Sequence, residues 1–162
     1  VYYGEAMAAM KNKPTPGVQM VSRNRKAFFS YEVLDAIEAG LVLRGTEVKS
    51  LRDGKLQLLD AYVQIEQGEA YMHHAHIAEY SHGTDANHAP TRTRKLLLHR
   101  REIDKLLAKV KEKGFTIIPL EVYFKEGRAK VKIGVCRGKA QHDKRATIKD
   151  RDEKRAAQRG LD

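Results

Sequence analysis

Cysteine is nearly absent: Cys136 is the only one in 162 residues, which excludes an internal disulfide and fits a reducing cytosol. No apolar run approaches the roughly eighteen residues that a membrane span needs, and the start lacks a basic-then-apolar signal pattern, so neither span nor export is expected. There is no phosphate-cradling glycine-rich loop, no nucleophile elbow and no carboxylate cluster for metal-assisted phosphodiester chemistry. These absences argue against an enzyme, and no cofactor is expected. Acidic residues are in the minority, 21 Asp and Glu against 31 Lys and Arg, for a formal charge of +10.

What is present fits one domain with appendages. A hydrophobic content of 41% suffices for a single core, and the excess of cations calls for an acidic partner, nucleic acid ahead of an anionic membrane. The charge is concentrated at the end. From Arg137 to Gly160 there are nine Lys and Arg against four Asp and Glu, while Ile148, Ala156, Ala157 and Leu161 are the only apolar side chains from Thr147 onward. Thr147 and Asp150 read as a helix start, but so narrow an apolar stripe cannot bury itself on a core. Residues 138–162 therefore read as a basic tail, disordered when free, that takes shape on a polyanion.

At the other end, residues 1–21 carry Pro14, Pro16 and Gly17 with no sustained period and read as a flexible arm. Between these ends, Ser30 is predicted to cap a short helix bearing Val33, Leu34 and Ile37, with Gly40 as its stop. Leu41 to Leu51 reads as β-like, broken at Gly45. Asp53-Gly54 marks a turn. Alternation of Ala61, Val63 and Ile65 with polar neighbours, a turn at Gln67-Gly68-Glu69 and a partner run from Ala70 to Ile77 predict a hairpin. Ser81 to Thr93 reads as a loop. Ile103, Leu106, Leu107 and Val110, at i, i+3, i+4 and i+7, predict a helix ended by Gly114. A second hairpin is expected from Leu120, Val122 and Phe124 against Val131, Ile133 and Val135 across Glu126-Gly127. The expected fold is mainly β with short helices, a closed antiparallel OB-like β-barrel over residues 22–137.

With Val131, Ile133 and Val135 facing inward, Lys130 and Lys132 share the outer face and begin a cationic ridge unbalanced by acids that continues through Arg137, Lys139, Lys144 and Arg145. Arg92, Arg94 and Lys95 form a second basic cluster, with Arg100 and Arg101 nearby, where cations oppose the helix dipole. Glu38 stands out as a carboxylate able to accept hydrogen bonds from a base edge or to organise a neighbouring arginine. His73, His74 and His76, with His82 and His88 beyond, lack the cysteine or clustered carboxylates that a metal site would add. His142, among Gln141, Asp143, Lys144 and Arg145, is placed to stack on a nucleobase.

Seven segments carry a resemblance: Asn24-Arg-Lys-Ala27, Glu38-Ala-Gly-Leu41, Gly45-Thr-Glu-Val-Lys-Ser-Leu-Arg52, Asp60-Ala-Tyr-Val63, Thr91-Arg-Thr-Arg-Lys-Leu-Leu-Leu98, Lys130-Val-Lys-Ile-Gly134 and Gly138-Lys-Ala-Gln-His-Asp-Lys-Arg145. In this order the chain resembles the small protein B family, the bacterial SsrA-binding (tmRNA-binding) proteins. The resemblance implies a cytoplasmic protein, monomeric when free, that grips the tRNA-like domain of tmRNA and escorts alanyl-tmRNA, with elongation factor Tu, to stalled ribosomes. It implies tmRNA contacts at Asn24, Glu38, Leu97 and Lys130. Lys132, Arg92, Arg94 and Lys95 join that set from the charge argument. The tail, helical in the messenger channel of the ribosome, is implied to meet the decoding centre through His142, Asp143, Lys144 and Arg145; Lys139 and Lys149 join it as tail cations, and Arg155 and Arg159, beyond the aligned stretch that ends at Arg151, by position alone. Ala140 departs from the family's usual second lysine. A generic OB-fold RNA-binding or ribosome-associated protein is the alternative.

Overall fold

The computed structural model describes residues 17–82, 87–111 and 114–139. The expected arm up to residue 16 and the tail residues His142, Asp143, Lys144, Arg145, Lys149, Arg155 and Arg159 lie outside the described residues.

Turn chemistry and alternation form the two hairpins where expected. In the first, β4 (Tyr62–Glu66) pairs antiparallel with β5 (Glu69–His73), and Gln67 and Gly68 take the positive φ that so tight a turn demands. The partner run ends at His74, itself at φ 63°, so His76 and Ile77 leave to form β6 (His76–Ile77) against β3 (Leu56–Gln57). In the second, β8 (Phe115–Lys125) and β9 (Arg128–Gly138) pair along their whole length around Glu126 and Gly127. A bulge between Pro119 and Glu121 moves Leu120 off the face shared by Val122 and Phe124. Leu120 packs instead with Ala27, Ile118 and Cys136.

Two elements differ from expectation. Residues 31–41 form a strand, β2 (Tyr31–Leu41), paired with β9 from Tyr31↔Gly138 to Gly40↔Lys130; the helix lies one step earlier, as α1 (Arg25–Ser30). Ser30 is that helix's last residue, and its cap is Asn24, whose side chain accepts from the Ala27 amide at 3.1 Å. Pairing with a strand about a hundred residues away overrides the weak local i, i+4 signal. Conversely, the expected strand around Gly45 is a helix, α2 (Gly45–Arg52). The missed signal is Glu47, whose Oε1 accepts from the Arg44 amide at 2.8 Å and closes the first turn.

The remaining elements are β1 (Val18–Arg23), β7 (Arg94–Leu97) and α3 (Arg100–Val110). β1 pairs with β8, so residues 18–21 of the expected flexible arm are strand. Within α3, Ile103 and Leu106 are buried while Leu107 and Val110 stay partly exposed. Its first turn is satisfied by Glu102, which accepts from the His99 amide, and Arg100 finds Asp104 one turn on, 3.5 Å away.

The sheet order β8-β4-β5-β7-β2-β9 returns to β8, so six strands form a closed hydrogen-bonded ring, with β1 added on β8 beyond the β4 contact. Ala39, Met72, Leu96, Ile117, Val131 and Ile133 fill its interior with almost no exposure. Burial of each of the larger side chains contributes roughly 1.5–3 kcal/mol. Because α1 covers β8 and β9 from outside, these strands are buried on both faces at that end, which explains the unbroken apolar stretch around Ile117 and Ile118.

Candidate nucleic-acid interface

Cross-strand partners point to the same side of a sheet. The registers therefore lay out a row on the outside of the ring: Leu97 on β7, Gly40 on β2, Lys130 on β9, Tyr123 on β8 and Met20 on β1. Leu97 and Met20, 57% and 52% exposed, leave apolar surface at both ends. Gly40 accommodates the close approach of Leu97, since a Cβ at position 40 would meet the Leu97 Cβ at 3.2 Å, tighter than most such contacts. A second row lies beside it: Glu38, Lys132, Glu121 and Arg23.

The second row alternates in charge, which corrects the expected cationic ridge unbalanced by acids. Lys132 stands between Glu38 and Glu121, and Arg23 Nε lies 3.4 Å from Glu121 while its guanidinium covers the Phe28 ring at 5.0 Å. Burial pushes the Glu121 carboxyl up, against the opposing pull of Arg23 and Lys132. The Tyr123 hydroxyl donates to Glu38 Oε2, and Lys125 Nζ lies 3.6 Å from Oε1. Glu38 thus sits mid-strand rather than at a helix stop. Among the described residues no ion pair joins Lys130, which leaves it as the cation of the first row.

The second basic cluster divides. Arg94 is fully buried: Nε lies 2.5 Å from Glu47 Oε2, Nη1 donates to the Ala75 carbonyl at 2.7 Å and Nη2 to the Pro90 carbonyl at 3.0 Å. It reaches no surface, because its alternation on β7 points it with Leu96 into the molecule. Arg92 Nη2 takes the other Glu47 oxygen at 2.5 Å and remains partly exposed. Burial pushes the Glu47 carboxyl up, but the hydrogen bonds from Arg92, the Arg44 amide and Arg94 together hold it below the ordinary range. His88 is also buried there: Nε2 donates to the Ile77 carbonyl, an obligate acceptor, and Nδ1 lies 2.9 Å from Thr46 Oγ1. Lys95 is on the outside, 3.1 Å from Glu69, which also accepts from Tyr71.

Asn24 is likewise placed inside. Its amide donates to the Leu58 and Pro119 carbonyls at 3.2 and 2.9 Å, so with the α1 cap all its polar atoms are engaged and 4% of it is exposed. Beside it opens a cleft of about 340 Å³ lined by Lys26, Tyr31, Asp60 and Tyr62 among others; Lys26, Asp60 and Tyr62 belong to two of the segments that carry the resemblance, but the sequence alone assigns them no site role. Lys139 donates to the Phe28 carbonyl at 3.2 Å, and its amide to Ser30. Cys136 is buried and its thiol is pushed up to about 12 by burial, so it offers no nucleophile. Tyr62 stacks on His73 with ring centroids 5.1 Å apart, and among the described residues no three metal-ligating side chains converge.

With this geometry in place, the family described as SmpB protein matches residues 21–162. The chain belongs to the SmpB family. A Streptomyces coelicolor relative described as SsrA-binding protein is 53% identical over 145 residues, covering 90% of this chain and 91% of its own. One from Treponema denticola with the same description is 53% identical over 144 residues, 89% of this chain and 94% of its own. A solved chain from a structure described as "tmRNA-SmpB: a journey to the center of the bacterial ribosome" superimposes with a TM-score of 0.65 and 46% identity, covering 79% of this chain and 94% of that one. The SmpB match extends through the basic end of the chain, beyond the last described residue. Among the described residues no helix is long and apolar enough to cross a membrane.

Proposed function

We propose that this protein binds the tRNA-like domain of tmRNA and delivers alanyl-tmRNA to stalled ribosomes in trans-translation, as a cytoplasmic binding protein and not an enzyme. The reading is carried by the 46% identity to a chain solved in a structure whose description joins tmRNA, SmpB and the bacterial ribosome. Relatives described as SsrA-binding proteins support it. On this reading the six-strand ring is an OB-like barrel whose outer face presents Glu38, Leu97 and Lys130 to the RNA, with Lys132, Arg92 and Lys95 at its margins. Asn24 and Arg94 serve that face through the fold. The tail, disordered when free, becomes helical on the ribosome, with His142 stacking at the decoding centre, and elongation factor Tu joins through alanyl-tmRNA.

The test compares binding to tmRNA and to an unrelated structured RNA at matched salt, because phosphate contacts alone make any affinity salt-dependent. Marked preference for tmRNA is expected. Equal affinities would reduce the protein to a generic RNA binder. Truncation after Arg145 should keep tmRNA binding and abolish tagging of stalled nascent chains; persistence of tagging would remove the tail from the mechanism.

A further inference from the structure

A carboxylate on a surface offered to RNA is an unusual choice, because it repels phosphate. Beyond organising neighbouring cations, it can serve there as an acceptor for donors of the RNA, the amino or imino groups of a base edge or a ribose hydroxyl, and acceptors discriminate only when their direction is fixed. Glu38 has three side-chain torsions and is about a third exposed. Left to itself it would sample many directions. Two neighbours restrict it. Lys125, 3.6 Å from Oε1, acts by charge and is itself half exposed. Tyr123 acts differently: it is 5% exposed, its ring is walled in between β1 and β9, and its hydroxyl donates to Oε2. A donor on a rigid, buried ring defines the plane and orientation of the carboxylate and occupies Oε2, while Oε1 faces the half-exposed Lys125 ammonium.

We propose that Tyr123 is a positioning residue for RNA recognition, holding the Glu38 carboxylate in one orientation so that Oε1 accepts from a donor group of the bound RNA. The inference rests on the proposed role of Glu38. Tyr123 itself does not touch the RNA, since its hydroxyl is consumed by Glu38 and its ring lies below the surface. The geometry also accounts for a tyrosine at a position where burial alone would be served by phenylalanine, as at neighbouring Phe124.

The experiment is titration of a tmRNA fragment containing the tRNA-like domain with the full chain and its variants at matched salt, repeated over a series of salt concentrations. Tyr123→Phe keeps the ring and should weaken binding by about three- to tenfold, the range of one hydrogen bond. The slope of affinity against salt should stay unchanged, because no phosphate contact is lost. In a Glu38→Ala background the same change should have no further effect. Glu38→Asp, which keeps the charge but withdraws the carboxylate from the Tyr123 hydroxyl, should behave like Tyr123→Phe, and as a surface change it does not threaten folding. Full affinity in Tyr123→Phe together with loss in Glu38→Ala would overturn the positioning role alone. An equal loss from Tyr123→Phe in both backgrounds would make Tyr123 merely structural. Unchanged binding in Glu38→Ala would remove Glu38, and with it this inference, from the interface.

Discussion

Glu47 concentrates more consequence than any other side chain described. It closes the first turn of α2 through the Arg44 amide and receives both Arg92 and Arg94. Removing it leaves the Arg94 guanidinium buried without a counter-ion, which costs about 3–5 kcal/mol. Against a typical total of roughly 5–15 kcal/mol, that is enough to bring the fold near its limit. Glu47→Ala should therefore lower the urea midpoint sharply, whereas Lys95→Ala, which breaks only an exposed pair with Glu69, should change it by under about 1 kcal/mol. A small effect of Glu47→Ala would mean that Arg94 finds water or another partner. Gly40 makes the complementary case on the outer face. Gly40→Ala places a methyl 3.2 Å from the Leu97 Cβ and 3.4 Å from its Cδ1, so β7 must give by a few tenths of an ångström and carry the exposed leucine with it, and RNA affinity should fall while the thermal midpoint moves little. An unchanged affinity would take Leu97 out of the interface.

At the scale of elements, α1 depends on one residue. Asn24 caps it and ties it to the carbonyls of Leu58 and Pro119, so Asn24→Ala should cost about 2 kcal/mol or more in equilibrium denaturation, even before RNA is added. If stability is untouched and only RNA binding falls, Asn24 is a contact residue after all. The elements legible in the sequence were those whose information is local. Gln67-Gly68 and Glu126-Gly127 announce their hairpins, and Ile103 with Leu106 announces α3. Illegible were the elements defined by distant partners. Val33 and Ile37 can satisfy either period, and only pairing with Ile133 and Cys136 settles residues 31–41 as strand. The candidate site followed the same division. Lys130 and Lys132 were placed outward by alternation, but the acids flanking Lys132 come from two other strands. The burial of Arg94 depends on Glu47, 47 residues earlier.

For the whole molecule, pH draws these contributions together. Glu47, and Asp35 on β2 beside the Ala36 amide with Lys105 and Lys109 at 3.4 and 3.5 Å, are both held low despite burial pushing upward. Their stabilisation is complete above the ordinary carboxylate pKa and declines as pH falls through the lowered folded values. Glu121 works in the opposite sense. Its folded pKa is raised from 4.5, so its ionised form burdens the fold fully above that raised value, and the burden shrinks as pH falls toward 4.5 and vanishes below it. Glu121→Gln should thus stabilise the protein at neutral pH and converge with the parent below about pH 4. Denaturation curves at pH 7 and pH 4 check this. A variant less stable at pH 7 would show that the attraction of Arg23 and Lys132 outweighs burial.

The length of β9 fixes a distance on the molecule. Lys130 sits near its beginning and Lys139 just past its end, and an extended chain rising about 3.3 Å per residue separates them by roughly 30 Å. That strand is held along both sides, by β2 and β8, so the interval cannot stretch or fold. It works as a fixed spacer: whatever is gripped beside Lys130 and whatever is reached beyond Lys139 are kept one strand-length apart, and a single small ligand cannot bridge the two.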